Sequence, residues 1–333
     1  MGKRNYQIVF FSIVSGLVLS LSTFAQAEPT QQNSNNRKFS FALIGDMQYN
    51  AEEEAKFPNL IRDINRSDVA FTVHDGDIKS GSSRCDNELF TRRFNEYQTF
   101  VAPFILVFGD NEWTDCHRPA AGGFDPIERL QKLRELFTQG DRSLGQRTLR
   151  LTRQSNDPQF SQYRENVRWV YRNVTFVGLN IPGSNNNLGR TPEADAEYRE
   201  RNTATIAWMK QSFEQAKRLN SPGILLIIQA NPGFELAPTH PERTGYNDFL
   251  AALEAETIAF KKPVVLVHGD SHNFRIDKPL RGKVSQRRLE NFTRVETFGT
   301  PDVHWIRAQV DPRDPNVFHF EQRIVQKNLV NQQ

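Results

Sequence analysis

Four times along this chain an apolar run stops at the same pair of residues, Gly-Asp. Residues 39–46 lead into GDMQ, 69–81 carry Asp75, Gly76 and Asp77, 101–110 lead into GDNEW, and 263–269 into GDSH. β-Branched and aromatic residues dominate these runs, which predicts buried strands that each deliver a carboxylate at their C-terminal end. One Gly-Asp after a strand is ordinary turn or cap chemistry. Four in matching positions are hard to explain that way. In parallel α/β sheets the loops at the carboxyl ends of strands meet in one crevice. The pattern therefore predicts a single acidic pocket, and carboxylates so close together need a cation.

Helices fall between the runs. Pro58 marks the opening of a helix over 57–66, and Leu89, Phe90, Phe94 and Tyr97 give helical spacing over 87–100. Asp125-Pro126 is an N-cap and first-turn pair for a helix to Phe137. Residues 138–163 are rich in Gly, Arg, Ser and Gln and predict an excursion, followed by one or two strands over 167–180 and a pocket-lining loop at SNNNLGR, 184–190. A long helix over 193–219, a strand over 224–228, a helix over 246–260 and a strand over 263–267 complete the alternation. Three closing strands, 291–298, 303–310 and 317–325, follow without helices and are expected to be antiparallel.

Lys3 and Arg4 precede an apolar run to about Leu21, and Ala25-Gln26-Ala27 supplies small residues. This predicts a secretory signal peptide over 1–27 and a periplasmic or secreted protein, then a polar linker over 28–37 and one domain over 38–327. The leader holds two positive and no negative charges, so its loss takes the formal charge from +3 to +1. That balance gives no sign of a nucleic-acid-binding or polybasic membrane surface, and a mean hydropathy of -0.61 argues against an integral membrane protein. Cys85 and Cys116 each lie just downstream of a Gly-Asp loop. The pocket brings them near each other, so a disulfide fits an oxidising compartment, with two free thiols as the alternative.

The order of these motifs, with the helix TATIAWMKQSFEQA at 203–216, resembles that of the calcineurin-like metallophosphoesterases across nearly all of the mature chain. The resemblance implies an α/β protein, a four-layer α/β/β/α sandwich with a two-metal centre at one edge. It also implies hydrolysis of a phosphate mono- or diester by a hydroxide that two metals and Asp77 share. Position by position, Asp46 matches the first metal aspartate and Asp77 the bridging one. Gln48 stands where the family has His. Asp110 falls on the metal-binding Asn and Asn111 on the His that assists the leaving group, which makes these two the catalytic pair. Residues 229–232 occupy the place of a His-x-Pro ligand, with Asn231 or Gln229 as stand-ins. Asp270 replaces the first His of the last motif, and His272 is kept.

Imidazole has thus given way to oxygen almost throughout. The expected metal ligands are Asp46, Gln48, Asp77, Asp110, Asn231, Asp270 and His272, and such a set favours Mn, Mg, Fe or Ca over Zn. Two divalent ions are expected, with a decayed second site as the rival. With Asn111 in place of His, the usual proton donor is absent unless His74, His117 or Glu112 substitutes. Lys79, Arg84, Arg118 and Arg190 are candidates for holding a phosphate, and Trp113 either walls the pocket or packs. No GxSxG, Walker, HExxH or strand-linked GxGxxG motif is present. The alternative to an enzyme is a catalytically silent protein of the same fold that binds a ligand or protein in the cell envelope.

Overall fold

The computed structural model describes residues 1–5, 7–8 and 37–329. Most of the expected leader, its cleavage site and the linker lie outside the described residues. Among the described residues, twelve strands form two mixed sheets. In the five-stranded sheet, β1 (Phe39–Ile44), β2 (Thr72–His74) and β3 (Phe104–Leu106) are parallel neighbours. β11 (Trp305–Val310) runs antiparallel to β1, and β12 (Phe318–Arg323) antiparallel to β11. The seven-stranded sheet has the order β4 (Thr152–Arg153), β5 (Val167–Tyr171), β6 (Val174–Gly178), β7 (Ile224–Ile227), β8 (Val264–His268), β10 (Phe292–Glu296) and β9 (Arg275–Asp277).

The inner strands β1, β7 and β8 are apolar at nearly every position because both of their faces are covered. Phe41 and Leu43 of β1, Leu225 and Ile227 of β7, and Val265 and Val267 of β8 point into a core shared by the two sheets. The alternate residues face helices. Ala42 and Ile44 pack with residues of α1 (Ala51–Asn65), α2 (Asn87–Tyr97) and α3 (Pro126–Phe137). Ile224, Leu226, Val264 and Leu266 pack with residues of α5 (Pro192–Arg218) and α6 (Asn247–Phe260). Three cores separate four layers, and the protein is the expected α/β/β/α sandwich.

Several local expectations are corrected. Helix α1 does not open at Pro58, which lies inside it; it starts after Asn50, whose side chain accepts from the Glu53 N–H at 3.1 Å. The Glu53 carboxylate in turn accepts from the Tyr49 N–H at 2.9 Å. This reciprocal cap fixes the start a full two turns before the proline. The closing strands are not all antiparallel. β10 inserts between β8 and β9 and runs parallel to β8, because the chain first crosses to the sheet edge in β9 and then folds back. The 138–163 excursion contributes β4, paired with β5.

Within SNNNLGR the segment Gly183–Asn186 forms a single turn, α4. Ser184, Asn185, Asn186 and Asn187 all have positive φ, between 50° and 66°. Asparagine tolerates that left-handed region better than most residues. Among the described residues no helix is long and apolar enough to cross a membrane. Cys85 and Cys116 form a disulfide.

Candidate metal centre

The parallel strands β1, β2 and β3 of one sheet and β6, β7 and β8 of the other send their following loops to the same edge. Backbone hydrogen bonds lace these loops together: Asp46 N to Gly76 O at 3.0 Å, Met47 N to Asp77 O at 3.2 Å, and Gly269 N to Gln229 O at 3.0 Å. Asp46, Asp77 and Asp270 all have positive φ, whereas Asp110 does not. Three of the four Gly-Asp loops therefore share one strained turn, of the kind found where function holds the backbone. Each glycine lets another loop come close. A Cβ on Gly109 would overlap Asp77 Oδ1, and one on Gly269 would overlap Asp46 Oδ2.

Carboxylate oxygens of Asp77, Asp110 and Asp270 lie within 4.8 Å of one another. The space between them is a usable cradle. A Cβ on Gly183 would stand 2.7 Å from Asp110 Oδ1 and 2.8 Å from Asp270 Oδ1, and Asp110 Oδ1 is buried without a hydrogen-bond partner. Such an orphaned oxygen among oxygen donors suits a hard divalent cation. On the other side of Asp77, Tyr49 Oη donates to Asp77 Oδ2 at 2.9 Å and lies 3.4 Å from Asp46 Oδ1. Asn111 Nδ2 donates to Asp77 Oδ2 at 2.7 Å and to Tyr49 Oη at 2.9 Å. His272 Nε2 sits 3.5 Å from Asp46 Oδ1.

The electrostatics show the same shortage of positive charge. Burial pushes the Asp77 carboxyl well above the usual carboxylate range, and the charges of Asp110 and Asp46 push it further. Asp270 is raised by the same causes, burial first and then Asp110 and Asp46. Burial also raises Asp46, against the opposing effect of His272. Burial lowers His272, but its bond to Asp46 and the nearby carboxylate charges outweigh that and hold the imidazole above its ordinary value. Carboxylates in this state stay ionised only when a cation joins them.

The expected residues do not all meet. Gln48 is buried; its amide nitrogen bonds Glu54 at 3.3 Å and Glu96 at 3.2 Å, and its Oε1 is left without a hydrogen-bond partner; a φ of 66° accompanies this turn. Asn231 serves through its backbone, whose N–H donates to Asp270 Oδ2 at 3.0 Å. Its side chain is taken up by Ser271 at 2.5 Å and by the Gly233 N–H at 3.1 Å. Gln229 is the closer participant, with Nε2 3.4 Å from Asp270 Oδ1 and Oε1 accepting from Gly183 N at 2.6 Å.

The substitutes for the missing acid also sort themselves. His74 is fully buried; its Nδ1 accepts from the Gly76 N–H at 3.1 Å, and burial pulls it down to about 3. Glu112 accepts from the backbone N–H groups of Gly109, Asp77 and Ile78, and burial raises it to about 7. It organises two loops. Trp113 is buried beneath Arg201, 5.2 Å from ring to guanidinium, and packs. Lys79 Nζ donates to the Ser80 carbonyl at 2.8 Å, and the Arg84 guanidinium lies over Phe124. Sequence reasoning missed Tyr49; Ser184, in the loop expected to line the pocket, places its Oγ 2.7 Å from Asp110 Oδ2.

No family model and no curated protein matches the chain. Among solved structures it is similar to a purple acid phosphatase from yellow lupin seeds, with 12% identity and a TM-score of 0.50 over 89% of this chain and 53% of that one. It is also similar to PhoD (12%, TM-score 0.48, 83% of this chain and 64% of that one). A 5'-nucleotidase from Candida albicans gives 13% and 0.43 over 85% and 50%. The chain thus spans between half and just under two thirds of these longer chains. At such identities the likeness to the purple acid phosphatase is one of fold alone.

Proposed function

We propose that this protein is an exported, divalent-cation-dependent phosphoesterase that hydrolyses a phosphate mono- or diester. The convergence of Asp77, Asp110 and Asp270 around a buried, partnerless Asp110 oxygen carries the reading. These three would hold the first cation. A second position, between Asp77, Asp46 and His272, is crossed by the Tyr49 hydroxyl and the Asp46–His272 pair, and we assign it the weaker affinity. A bound divalent cation supplies charge neutralisation for the phosphate oxygens and acidifies a water. Export is supported by the leader pattern and by a disulfide between two buried cysteines.

The chain's own groups have narrower tasks. Tyr49 and Asn111 donate to Asp77 and fix its orientation. The Asn111 amide can hydrogen-bond an oxygen but cannot release a proton at neutral pH, so it gives the leaving group no general acid help, commonly worth ~10²–10⁴ in rate. The enzyme should therefore prefer good leaving groups. A second reading, a silent binding protein, is favoured by that same Asn111 and by the occupation of the Asn231 side chain by Ser271 and Gly233. Hydrolysis of aryl phosphates of graded leaving-group pKa, with Mn²⁺, Mg²⁺ or Ca²⁺ against a chelator, separates the two. The enzyme reading expects cation-dependent turnover with a steep leaving-group dependence, abolished by Asp77→Asn. No turnover with any cation would favour the binding protein.

A further inference from the structure

Beside the aspartates lies a cleft of about 270 Å³, enclosed by residues 114–118 on one side and 184–190 on the other. Its charge contrasts with that of the metal centre. Arg118 and Arg190 line it against a single carboxylate, Asp115. Arg118 Nη1 contacts Asp115 Oδ2 at 2.7 Å and the side chain stays 47% exposed, so most of its donors remain available. Arg190 Nη2 contacts Asn187 Oδ1 at 3.0 Å. His117 Nδ1 faces the Thr114 carbonyl at 2.6 Å, which makes Nδ1 the donor there and leaves Nε2 free of that bond. Leu188 adds an apolar surface.

The cleft adjoins the metal centre in two places. Ser184 Oγ stands 2.7 Å from Asp110 Oδ2 and 2.9 Å from Asp115 Oδ1, so one hydroxyl forms the partition. A Cβ on Gly81 would meet Arg118 Nη1 at 2.7 Å and Asn111 Oδ1 at 2.8 Å. The guanidinium and the Asn111 amide thus border the same small space, next to the side chain that holds Asp77. A phosphoester whose phosphate reaches the three aspartates would extend its alcohol part toward these arginines. Arginine forks match carboxylate and phosphate oxygens geometrically, and the volume is below the ~300–1,000 Å³ of typical drug-sized pockets.

Resting on the phosphoesterase reading above, we propose that this cleft binds a second anionic group, a carboxylate or a phosphate, carried on the alcohol part of a small phosphoester substrate. Arg118 and Arg190 select the substrate, and a macromolecular phosphoester is disfavoured. The test compares glycerol 3-phosphate, 3-phosphoglycerate and 2,3-bisphosphoglycerate on the Mn²⁺-loaded protein. The wild type should prefer the compounds with the second anion about two- to fivefold in kcat/KM, the range expected for a partly exposed charge pair. In Arg118→Met/Arg190→Met the preference should fall to about one, and Arg118→Lys/Arg190→Lys should restore part of it. Preference for carboxylate over phosphate, or the reverse, identifies the second anion.

An equal preference in wild type and the Met variant, with matching circular dichroism and melting, would overturn the proposal. Titration calorimetry with the same three compounds keeps the two readings apart. A two- to fivefold difference in Kd that the Met variant loses, without turnover of any compound, would uphold the cleft and sink the phosphoesterase. Indifference of Kd to the second anion in wild type would sink the cleft.

Discussion

Gly109→Ala tests whether the close approach of two Gly-Asp loops is what shapes the centre. The new Cβ would overlap Asp77 Oδ1 and stand 2.5 Å from the Asp77 backbone nitrogen, where ordinary contact begins at 3.4 Å. A side chain can rotate away, but a backbone nitrogen cannot, so the loops must part by about 0.9 Å, the kind of shift that overpacking forces. Three hydrogen bonds span the gap: Asn111 N to Asp77 Oδ1 at 3.1 Å, Asp77 N to Glu112 Oε1 at 3.3 Å and Ile78 N to Glu112 Oε2 at 3.4 Å. Overpacking costs about 1–3 kcal/mol and a weakened buried hydrogen bond about 1 kcal/mol. A total of about 2–4 kcal/mol follows, or roughly 4–8 °C in Tm at about 2 °C per kcal/mol.

Displacing Asp77 should also weaken cation binding by about 10–100-fold, as loss of ligand-orienting partners does. Gly178→Ala is the control. Its Cβ would lie 3.0 Å from a Val167 methyl and 3.1 Å from a Val107 methyl, in the core between the sheets. That variant should melt lower yet bind the cation within twofold of wild type. Calorimetric titration with Mn²⁺ and a thermal melt on each variant decide the matter. Gly109→Ala with wild-type cation affinity would refute the reasoning.

Three further outcomes are expected. Cys85→Ser/Cys116→Ser opens a link across 31 residues and should lose about 3–4 kcal/mol in denaturant unfolding, from the loop entropy released; both sulfurs also pack on the Asn111 carbonyl, so activity should fall with it. His74 is held neutral by burial, down to about 3, and the unfolded chain takes up a proton near 6.5 that the folded one refuses. Its contribution is present above about pH 6.5 and is lost as pH falls toward 3. The stability–pH slope of His74→Gln between pH 4 and 6 should therefore be shallower than wild type by about 1.4 kcal/mol per pH unit. An unchanged slope would contradict the burial. Tyr49→Phe removes the hydroxyl between Asp46 and Asp77 and should tighten the second cation equivalent several-fold by calorimetry; a weaker second equivalent would make Tyr49 a ligand instead.

Much of the architecture is legible in the sequence because both faces of the central strands are covered, so apolar runs and loop carboxylates stand out. The gathering of Asp46, Asp77, Asp110 and Asp270 at one edge follows from strand direction alone. Position in a motif does not by itself fix where a side chain points. The Gln48 amide nitrogen is taken by Glu54 and Glu96 while its Oε1 has no partner, and the Asn231 side chain is occupied by Ser271 and Gly233. Ser184 reaches Asp110 across 74 residues of sequence, a contact no local pattern encodes. The true start of α1 was readable, since Asn50 and Glu53 have capping-box spacing, but Pro58 is the louder signal. β4 and β9, two and three residues long, are too short to show periodicity.

The central claim is that the carboxylates surround a cation, and the most direct measurement is the metal content of the purified mature protein beside Asp77→Asn. Bound Mn, Mg, Fe or Ca at one tight equivalent, with a second entering only at higher concentration and both lost in the variant, is the predicted result. A wild-type protein that takes up no divalent metal even in excess would contradict it.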